Sequence, residues 1–434
     1  MPCALSLAFF ALSPEPYALS LFFIALRLTV LRMFRTLPPT GAPIYLRDLL
    51  KGFFLSFYEN DACEKFSTQI KEYFEVKNAF LLSSGKAAIY VALTALRKMH
   101  RRDEVIIPAY SSFCLASAVA RTELSIRLCD IDPETLDFDL AKLQSLISEK
   151  TLAVIPVHNY GIVCNLKVIQ KFADEKGAYV LEDAAQAAGA LFEGRKVGTI
   201  GDTGILSLGR GKNIYALGGG VILTDKEPFA ALITEALKKY SRESMIAGIT
   251  NFMTGIALSI LLNPERYAIP ANLFFVNLGA NIFDPGFKIA RLPNLNAEVG
   301  RETLLSLDRY NKIRIQNARL LEESLSGNGN LKIPKPNHDA RSVYLRFPIL
   351  FQNREACKKA YQQLSQKRLG ASTSYPTPLT EIIGFKKYLS AENDFPGAKF
   401  VADRIITLPT HPYVEEDDIA RMIRTINHST QVFE

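Results

Sequence analysis

AVIPVHNYGIVCNLKVIQKFADEKGAYVLEDAAQ, residues 153–186, has the pattern of a strand, a helix and a second strand. Ala153–Val157 and Tyr179–Leu181 are short, continuously apolar runs, which is typical of strands that are buried on both faces. Leu166–Lys176 lies between them and has the apolar spacing of a helix. Two strands joined by a helix form one unit of a parallel sheet. This stretch therefore predicts an α/β fold.

The same alternation extends in both directions, from Asn78 to Asp225. Continuous apolar strands that alternate with helices predict a mostly parallel sheet covered on both faces. Ligands of such sheets bind at the carboxyl ends of the strands, where polar residues follow in this chain. The further predicted strands are Ala79–Leu82, Val105–Pro108, Ile126–Ile131, Gly204–Ser207 and Val221–Thr224, and the further predicted helices are Lys86–Lys98 and Asp139–Ser148.

The pattern changes in the last third of the chain. A long helix is predicted over Leu304–Leu325, a strand over Tyr344–Leu350 and a final helix over Glu415–Ile426. This mixture predicts a smaller α+β domain. We therefore expect a large domain over residues 33–285 and a small C-terminal domain over residues 286–434.

The amino-terminal segment, residues 1–32, does not fit this pattern. It holds two apolar runs separated by Ser13-Pro14-Glu15-Pro16, and its first basic residue is Arg27, so the positively charged start of a signal peptide is absent. The prolines keep each run shorter than the roughly 20 residues that span a bilayer. Three interpretations of residues 1–32 remain open: a segment lying on a membrane surface, a disordered leader, or a start codon placed upstream of a natural start at Met33.

A second apolar segment, Ser244–Leu262, contains no charged residue and belongs to a predicted helical insert near residues 244–278. Its length alone would suit a membrane span. It contains Thr250, Asn251 and Thr254, however, and its flanks resemble a soluble enzyme. We therefore expect a helix buried in a subunit interface or beneath the C-terminal region, with a helix lying in the membrane surface as the alternative. The predicted location is the cytoplasm, with peripheral membrane contact left open.

Composition excludes several classes of protein. The 51 basic and 44 acidic residues give a net charge of +7 that is spread along the chain, which argues against a nucleic-acid partner and allows a small anionic substrate. A hydrophobic content of 48% and a charged content of 22% exclude extensive disorder. The six cysteines form no CxxC pair and the five histidines no HxxxH pair, so we expect neither disulfides nor a metal site.

Two glycine-containing stretches follow predicted strands. In Ser83–Ala88 a glycine opens a helix, where backbone N–H groups can approach a phosphate. The stretch Ser207–Lys212 is followed by Gly218-Gly219-Gly220. Its lysine lies near the end of a predicted strand, where the amine suits Schiff-base chemistry. The structural alternatives are an ordinary turn for the first stretch and a solvated loop lysine for the second.

Two further polar residues follow buried strands. Asp183, in the stretch Leu181–Gln186, follows one of them, and an unpaired carboxylate at such a place is costly. The structural alternatives to a functional role for Asp183 are a helix cap and an ion pair. His158, in Pro156–Gly161, follows another, and a single histidine there is more often structural than catalytic. A lysine, an aspartate and a serine at the strand ends of an α/β sheet are nonetheless what pyridoxal phosphate requires for its imine, its pyridine nitrogen and its phosphate.

With these residues the chain resembles the DegT/DnrJ/EryC1/StrS family of sugar aminotransferases, which are fold-type-I enzymes dependent on pyridoxal 5'-phosphate. The family's E-D-x-A-Q segment is matched at Glu182–Gln186. Its S-F-x-x-x-K segment is matched at Ser207–Lys212, and the separation of Lys212 from Asp183 is the one usual in the family. The V-H-x-Y-G segment is intact at Val157–Gly161. The resemblance runs from about Arg35 to the end of the chain.

The resemblance implies a large domain with a mostly parallel seven-stranded sheet, a smaller α+β domain, and a homodimer in which Arg291 and its neighbours reach the partner's site. It implies an amino group transferred from glutamate to a keto group of a nucleotide-activated sugar, in the biosynthesis of polysaccharides or other glycans. The implied roles are cofactor attachment and proton transfer for Lys212, the pyridine nitrogen for Asp183, the ring's 3-oxygen for Gln186, phosphate for Ser207 and for Ser84, Gly85 and Lys86, ring stacking for Phe113, and the ring or substrate for His158.

The chain departs from the family pattern at several points. Lys86 replaces the threonine of the phosphate loop, and the phenylalanine after the phosphate serine is Leu208. The family's T-F pair falls in Ser111–Phe113, and its Y-x-x-P-L-H motif lacks the histidine at Thr380. Two alternatives stay open. One is a sugar dehydratase with the same cofactor, in which the lysine that stands here as Lys212 is typically a histidine. The other is a membrane-associated, non-catalytic relative.

Overall fold

The first half of the chain alternates strands with helices, and the second half is mostly helical. The predicted leader, residues 1–32, lies outside the described residues. The computed structural model describes residues 35–41, 43, 45–58, 61–242, 245–271, 282–391 and 394–431.

In chain order, the strands are β1 (Asn78–Leu82), β2 (Glu104–Pro108), β3 (Ser125–Cys129), β4 (Thr151–Val154), β5 (Tyr179–Asp183), β6 (Leu191–Phe192), β7 (Arg195–Lys196), β8 (Thr203–Ser207), β9 (Gly220–Thr224), β10 (Leu331–Lys332), β11 (Ala340–Arg341), β12 (Arg346–Phe351) and β13 (Ile405–Pro409). The α-helices are α1 (Leu46–Tyr58), α2 (Ala62–Phe74), α3 (Gly85–Met99), α4 (Phe113–Ala120), α5 (Leu140–Leu146), α6 (Leu166–Lys176), α7 (Glu227–Leu237), α8 (Met245–Leu261), α9 (Ala268–Ala271), α10 (Asn294–Leu304), α11 (Leu307–Leu325), α12 (Arg354–Gln366), α13 (Pro396–Arg404) and α14 (Glu416–Gln431).

The large sheet has seven strands in the order β1-β9-β8-β5-β4-β2-β3. The pairs from β8 to β3 are parallel, and only β9 runs opposite to its neighbours. The predicted mostly parallel seven-stranded sheet is thereby confirmed. Because β1, β2, β4, β5 and β8 share one direction, the loops that follow them meet at one edge of the sheet. The loop that precedes β9 reaches the same edge.

Helices cover both faces of this sheet because successive strand residues point to opposite sides. Ile107 of β2 packs into the core that contains Val91 of α3, whereas the preceding Ile106 packs with Ile169 of α6. Helix α6 has the predicted bounds. Its first turn is capped by Asn165, whose side-chain oxygen accepts a hydrogen bond from Val168 N at 3.3 Å.

The C-terminal part forms a second, three-stranded sheet in the order β10-β12-β13, with antiparallel pairs. Helices α12 and α14 pack together beside it. The continuous helix predicted over Leu304–Leu325 was wrong, since α10 ends at Leu304 and α11 begins at Leu307. Leu305 is 73% exposed, and Ser306 N donates to Thr303 O in a tight turn. Leu304 and Leu307 are both buried by this break.

Helix α10 belongs to the predicted small domain, yet it packs against α1 and α2. The boundary between residues 285 and 286 stays a prediction.

The apolar insert is helical where it is described. Phe252 of α8 stacks on Phe53 of α1, with ring centroids 4.2 Å apart, so one side of α8 is covered. The opposite side carries Ile246 and Met253, which are 77% and 58% exposed. Over the described part of the chain, no helix is both long enough and apolar enough to cross a membrane.

Candidate active site

A cavity of about 390 Å³ lies at the edge of the large sheet where the strand ends meet. Loops that follow β1, β2, β4, β5 and β8 supply most of its wall. The rest is supplied by the loop before β9, by Thr40, and by Leu345, Arg346, Ser374 and Tyr375 of the C-terminal part. The structure thus brings most of the predicted site residues together. Those that line the cavity are Ser84, Gly85, Lys86, Asp183, Gln186, Ser207 and Lys212.

Asp183 is the last residue of β5 and is only 6% exposed. Ala185 N donates to its Oδ1 at 3.1 Å, and within the described ranges no cationic nitrogen lies within 4 Å of its carboxylate. Burial raises the pKa of Asp183, and the charge of Lys212 opposes this shift. No helix begins directly after Asp183, so the helix-cap alternative is not supported. A buried carboxylate of this kind is ready to accept a cationic partner from the cavity.

Lys212 lies in the turn that follows β8, where its backbone N–H donates to Gly209 O at 3.2 Å. Burial lowers the pKa of the Lys212 amine, while the charge of Asp183 acts in the opposite direction. Its amine therefore loses its proton more readily than that of a solvated lysine, and the neutral amine is the form that attacks a carbonyl carbon.

The turn itself depends on Gly211, whose φ is +74° and where a Cβ would overlap the Thr40 hydroxyl. A side chain at this position would displace the segment that carries Lys212.

An anion cradle lies at the amino end of α3. Ser84 caps this helix by accepting a hydrogen bond from Ala87 N at 3.1 Å. A Cβ on Gly85 would lie 3.5 Å from Ser207 Oγ, and a Cβ on Gly220 would lie 2.6 Å from Gly85 N. The first distance is an ordinary contact, whereas the second is an overlap, so Gly220 is the glycine that lets β9 approach the end of β1. Backbone N–H groups, the positive end of a helix and the Ser207 hydroxyl converge here, as phosphate binding requires.

Lys86 extends from this cradle toward a different part of the chain. Its Nζ lies 3.6 Å from Asp284 Oδ2 and 4.9 Å from the centroid of the Phe287 ring. The Lys86 amine, which was predicted to pair with phosphate, therefore lies near the Asp284 carboxylate. Lys86 still lines the cavity.

Gln186 is held in one orientation by two tyrosines. Its Nε2 donates to Tyr375 Oη at 3.0 Å, and its Oε1 accepts from Tyr160 N at 3.2 Å. Tyr110 ties this group together, because its hydroxyl lies 2.6 Å from that of Tyr160 and accepts from Tyr375 N at 2.7 Å. The amide is therefore fixed before any ligand binds.

Two of the predicted site residues do not line the cavity. His158 is fully buried; its Nδ1 accepts from Cys164 N at 3.1 Å, and its Nε2 lies 3.5 Å from Glu182 Oε2. Its backbone N–H donates to Asp183 O at 3.2 Å, so His158 supports the position of Asp183 from behind. Phe113 packs into the core at the start of α4. Ligand contact by either residue stays a prediction.

Several residues of the cavity wall were not predicted. Thr40 and Cys114 stand in no motif and gave no signal. Arg346 did give one, since it is a charged residue within the apolar run predicted as a strand over Tyr344–Leu350. The described residues contain no group of three or more His, Cys, Asp or Glu side chains placed to hold a metal ion.

A model of the DegT/DnrJ/EryC1/StrS aminotransferase family matches residues 45–427. The chain belongs to this family. Its curated relatives include the UDP-N-acetyl-3-dehydro-alpha-D-glucosamine 3-aminotransferase of Acidithiobacillus ferrooxidans, which is 28% identical and matches over 80% of this chain and 83% of its own length. They also include the GDP-perosamine synthase of Vibrio cholerae, which is 24% identical over 88% of this chain and 95% of its own length.

Solved structures agree with the family assignment in fold. The Escherichia coli GDP-4-keto-6-deoxy-D-mannose-3-dehydratase with bound hydrated pyridoxal phosphate superposes with a TM-score of 0.71. It is 19% identical, and the match covers 89% of this chain and 99% of the dehydratase. The predicted fold type and the aminotransferase family are thereby confirmed.

The residues present fit the cofactor that this aminotransferase family uses. Asp183 is a buried carboxylate with no cationic nitrogen of the described residues within 4 Å, which suits a protonated pyridine nitrogen. The cradle of Ser84, Gly85 and Ser207 suits a phosphate group, and Lys212 supplies an amine of lowered pKa in the same cavity. The three chemical demands of pyridoxal phosphate are met at the ends of β1, β5 and β8.

Proposed function

We propose that this chain transfers the amino group of L-glutamate to a keto group of a nucleotide-activated sugar, as a step in the biosynthesis of cell-surface polysaccharides or other glycans. The observation that carries the proposal is that Lys212 and Asp183 line one cavity in a chain of an aminotransferase family. The sugar substrate is supported by the names of the two relatives, both of which act on or produce nucleotide sugars.

Each residue of the cavity has a distinct role in the proposed reaction. When bound, pyridoxal phosphate supplies an electron sink that stabilises negative charge on the carbon next to the nitrogen. Lys212 would hold the cofactor through its amine and would move the proton between the substrate carbon and C4′ of the cofactor. Asp183 would keep the pyridine nitrogen protonated, and Gln186 would bind the 3-oxygen. Ser207 and the Ser84–Lys86 loop would hold the phosphate.

The charges around the cavity support anionic ligands. Lys86, Arg210, Lys212 and Arg346 line it, whereas Asp183 is the carboxylate that lines it among the described residues. A phosphate, an amino-acid carboxylate and a nucleotide diphosphate are all anions, and a positive wall raises their local concentration.

The dehydratase alternative is disfavoured by Lys212, because the resemblance implies a histidine at this position in the dehydratases. The non-catalytic alternative is disfavoured because a scaffold has no use for a buried aspartate and a lysine of lowered pKa in one cavity. The dehydratase structure named above, at 19% identity, supports the fold alone.

We also propose a cytoplasmic homodimer. The uncovered side of α8 continues onto α1, where Phe54 is 59% exposed. A patch of this kind on a protein that works in water favours contact with a second copy. Membrane contact through the same patch is the alternative.

The direct test is to incubate the cofactor-loaded protein with L-glutamate and a panel of nucleotide keto-sugars, and to identify the products by mass spectrometry. Amination exchanges the carbonyl oxygen for an amino group and leaves every hydroxyl in place, whereas dehydration removes a hydroxyl. A Lys212→Ala protein prepared in the same way is the control. The proposal fails if the wild-type chain aminates none of the sugars, or if Lys212→Ala gives the same product at the same rate.

A further inference from the structure

Arg346 is a buried cation that the roles above do not use. It is the first residue of β12, is 5% exposed, and lines the same cavity as Lys212. Its Nη2 donates to Thr407 O at 2.9 Å. Its Nε is enclosed without an acceptor, and among the described residues nothing accepts a hydrogen bond from Nη1. Nη1 is not enclosed in the way that Nε is. Since Arg346 lines the cavity, Nη1 is the nitrogen that is open to it.

No carboxylate of the described chain balances this charge. Within the described ranges none lies within 4 Å of Arg346. Besides burial, the groups that act on its pKa are phenols, with Tyr160 and Tyr375 first, and burial raises the pKa of both phenols, so they are neutral at pH 7. Burial lowers the pKa of Arg346 to about 10, so it is still a cation at neutral pH. A buried cation without a counter-ion is costly unless a ligand supplies the opposite charge.

A second buried arginine provides a contrast. Arg314 is fully buried, and its Nη1 and Nη2 donate to Leu345 O at 3.3 Å and Gly41 O at 2.6 Å. Like Arg346, Arg314 has an Nε without an acceptor among the described residues, and burial lowers its pKa to about 10. The two arginines differ in position: Arg314 does not line the cavity, and its bonds join Gly41 to Leu345, the residue before β12. Arg314 is therefore structural, whereas Arg346 faces the place where ligands bind.

The chemistry of transamination limits which anion can reach Arg346. The donor's nitrogen must reach C4′ of the cofactor, the atom to which the Lys212 amine would be attached. The donor's α-carboxylate is bonded to the α-carbon, which bears that nitrogen. This carboxylate must therefore lie inside the cavity, close to Lys212. Arg210, the other arginine that lines the cavity, is exposed.

We propose that Arg346 binds the α-carboxylate of the amino donor and so restricts the donor to α-amino acids; this inference rests on the aminotransferase function proposed above. Nη1 donates a charge-assisted hydrogen bond to the carboxylate. Tyr375 lines the cavity beside Arg346, and its hydroxyl, which accepts from Gln186 Nε2, keeps its own hydrogen to donate to the same carboxylate.

The first experiment follows one half-reaction in cofactor-loaded protein, by loss of the visible absorbance of the Lys212-bound cofactor as L-glutamate is added. Arg346→Gln should raise the glutamate concentration for half-maximal rate by about 100-fold and leave the maximal rate within a few-fold. Arg346→Lys should restore part of the affinity because it keeps the charge. Arg314→Lys is the matched control, which should lower the melting temperature without changing the glutamate dependence.

The second experiment needs no variant and decides the matter if Arg346→Gln does not fold. L-2-aminobutyrate keeps the α-carboxylate and lacks the distal one, whereas 4-aminobutyrate has a carboxylate only at the far end. The wild-type chain should react with the first and not with the second.

Equal reaction with both amines, or an unchanged glutamate dependence in Arg346→Gln, refutes the inference and leaves the aminotransferase function standing. A wild-type chain that accepts no amino group from any of the three donors refutes the proposed function itself.

Discussion

Replacing Asp183 by asparagine should separate cofactor binding from catalysis. The side chain is 6% exposed, and the one hydrogen bond that holds it, from Ala185 N to Oδ1 at 3.1 Å, can be kept by the asparagine oxygen. The variant therefore loses a charge and little packing, and we expect its free energy of unfolding to change by no more than about 1 kcal/mol. Lys212 and the anion cradle remain, so the visible absorbance of the bound cofactor should persist.

The rate should respond very differently. Without the carboxylate the pyridine nitrogen loses its proton, and the ring no longer stabilises negative charge on the substrate carbon. Electrostatic contacts of this kind contribute about 3–4 kcal/mol to the transition state, so the half-reaction with L-glutamate should slow by about 100- to 1,000-fold.

The neighbouring residue supplies a matched control. Glu182 is fully buried on the side away from the cavity, and it accepts hydrogen bonds from Gly198 N at 2.7 Å and Ile200 N at 2.6 Å. Glu182→Gln should lower the melting temperature and leave the rate per loaded site unchanged. Stopped-flow absorbance and thermal melts on both variants give the comparison. A stable Asp183→Asn protein with a near-normal rate would show that the carboxylate has no catalytic role.

Three further predictions concern attachment, pH and assembly. Borohydride should fix the cofactor on Lys212, and Lys212→Ala should remove the visible absorbance while Lys86→Met keeps it; peptide mapping that finds the label on Lys86 would contradict the assignment. Because burial lowers the pKa of Lys212 and Asp183 raises it, the rate of cofactor loading should rise with pH through a pKa below 10.5, and in Asp183→Asn this rise should move to lower pH; an unshifted profile would mean that the two side chains do not interact. Met253→Lys, on the uncovered side of α8, should convert the dimer to monomers in analytical ultracentrifugation, and a wild-type protein that is already monomeric and fully active at high dilution would exclude the proposed assembly.

Local sequence pattern was enough to predict the large sheet. Strands buried on both faces leave a continuous apolar run, and the helices between them leave a regular spacing, so α6 was predicted at Leu166–Lys176 with its observed bounds. Asp183 and Lys212 were predictable because the first ends a buried strand and the second lies in the glycine-containing turn after another. The sheet then places both at one edge by topology alone, whatever the loops do.

Features that depend on distant contacts were not predictable. The carboxylate of Asp284 that pairs with Lys86 is far away in sequence, and no local pattern marks it. The break between α10 and α11 follows from burying both Leu304 and Leu307, whose partners lie elsewhere in the chain. Arg346 stood out as a charge in an apolar strand, but only the assembled cavity identifies what its guanidinium faces.

The pairing of β9 with β1 has a consequence for the order in which this protein matures. The cradle exists only when Gly220 lies against Ser84 and Gly85, and β1 must therefore wait for a strand that is synthesised much later. Contacts so distant along the chain form late in folding. A chain in which β9 has not yet paired with β1 therefore has no complete phosphate site.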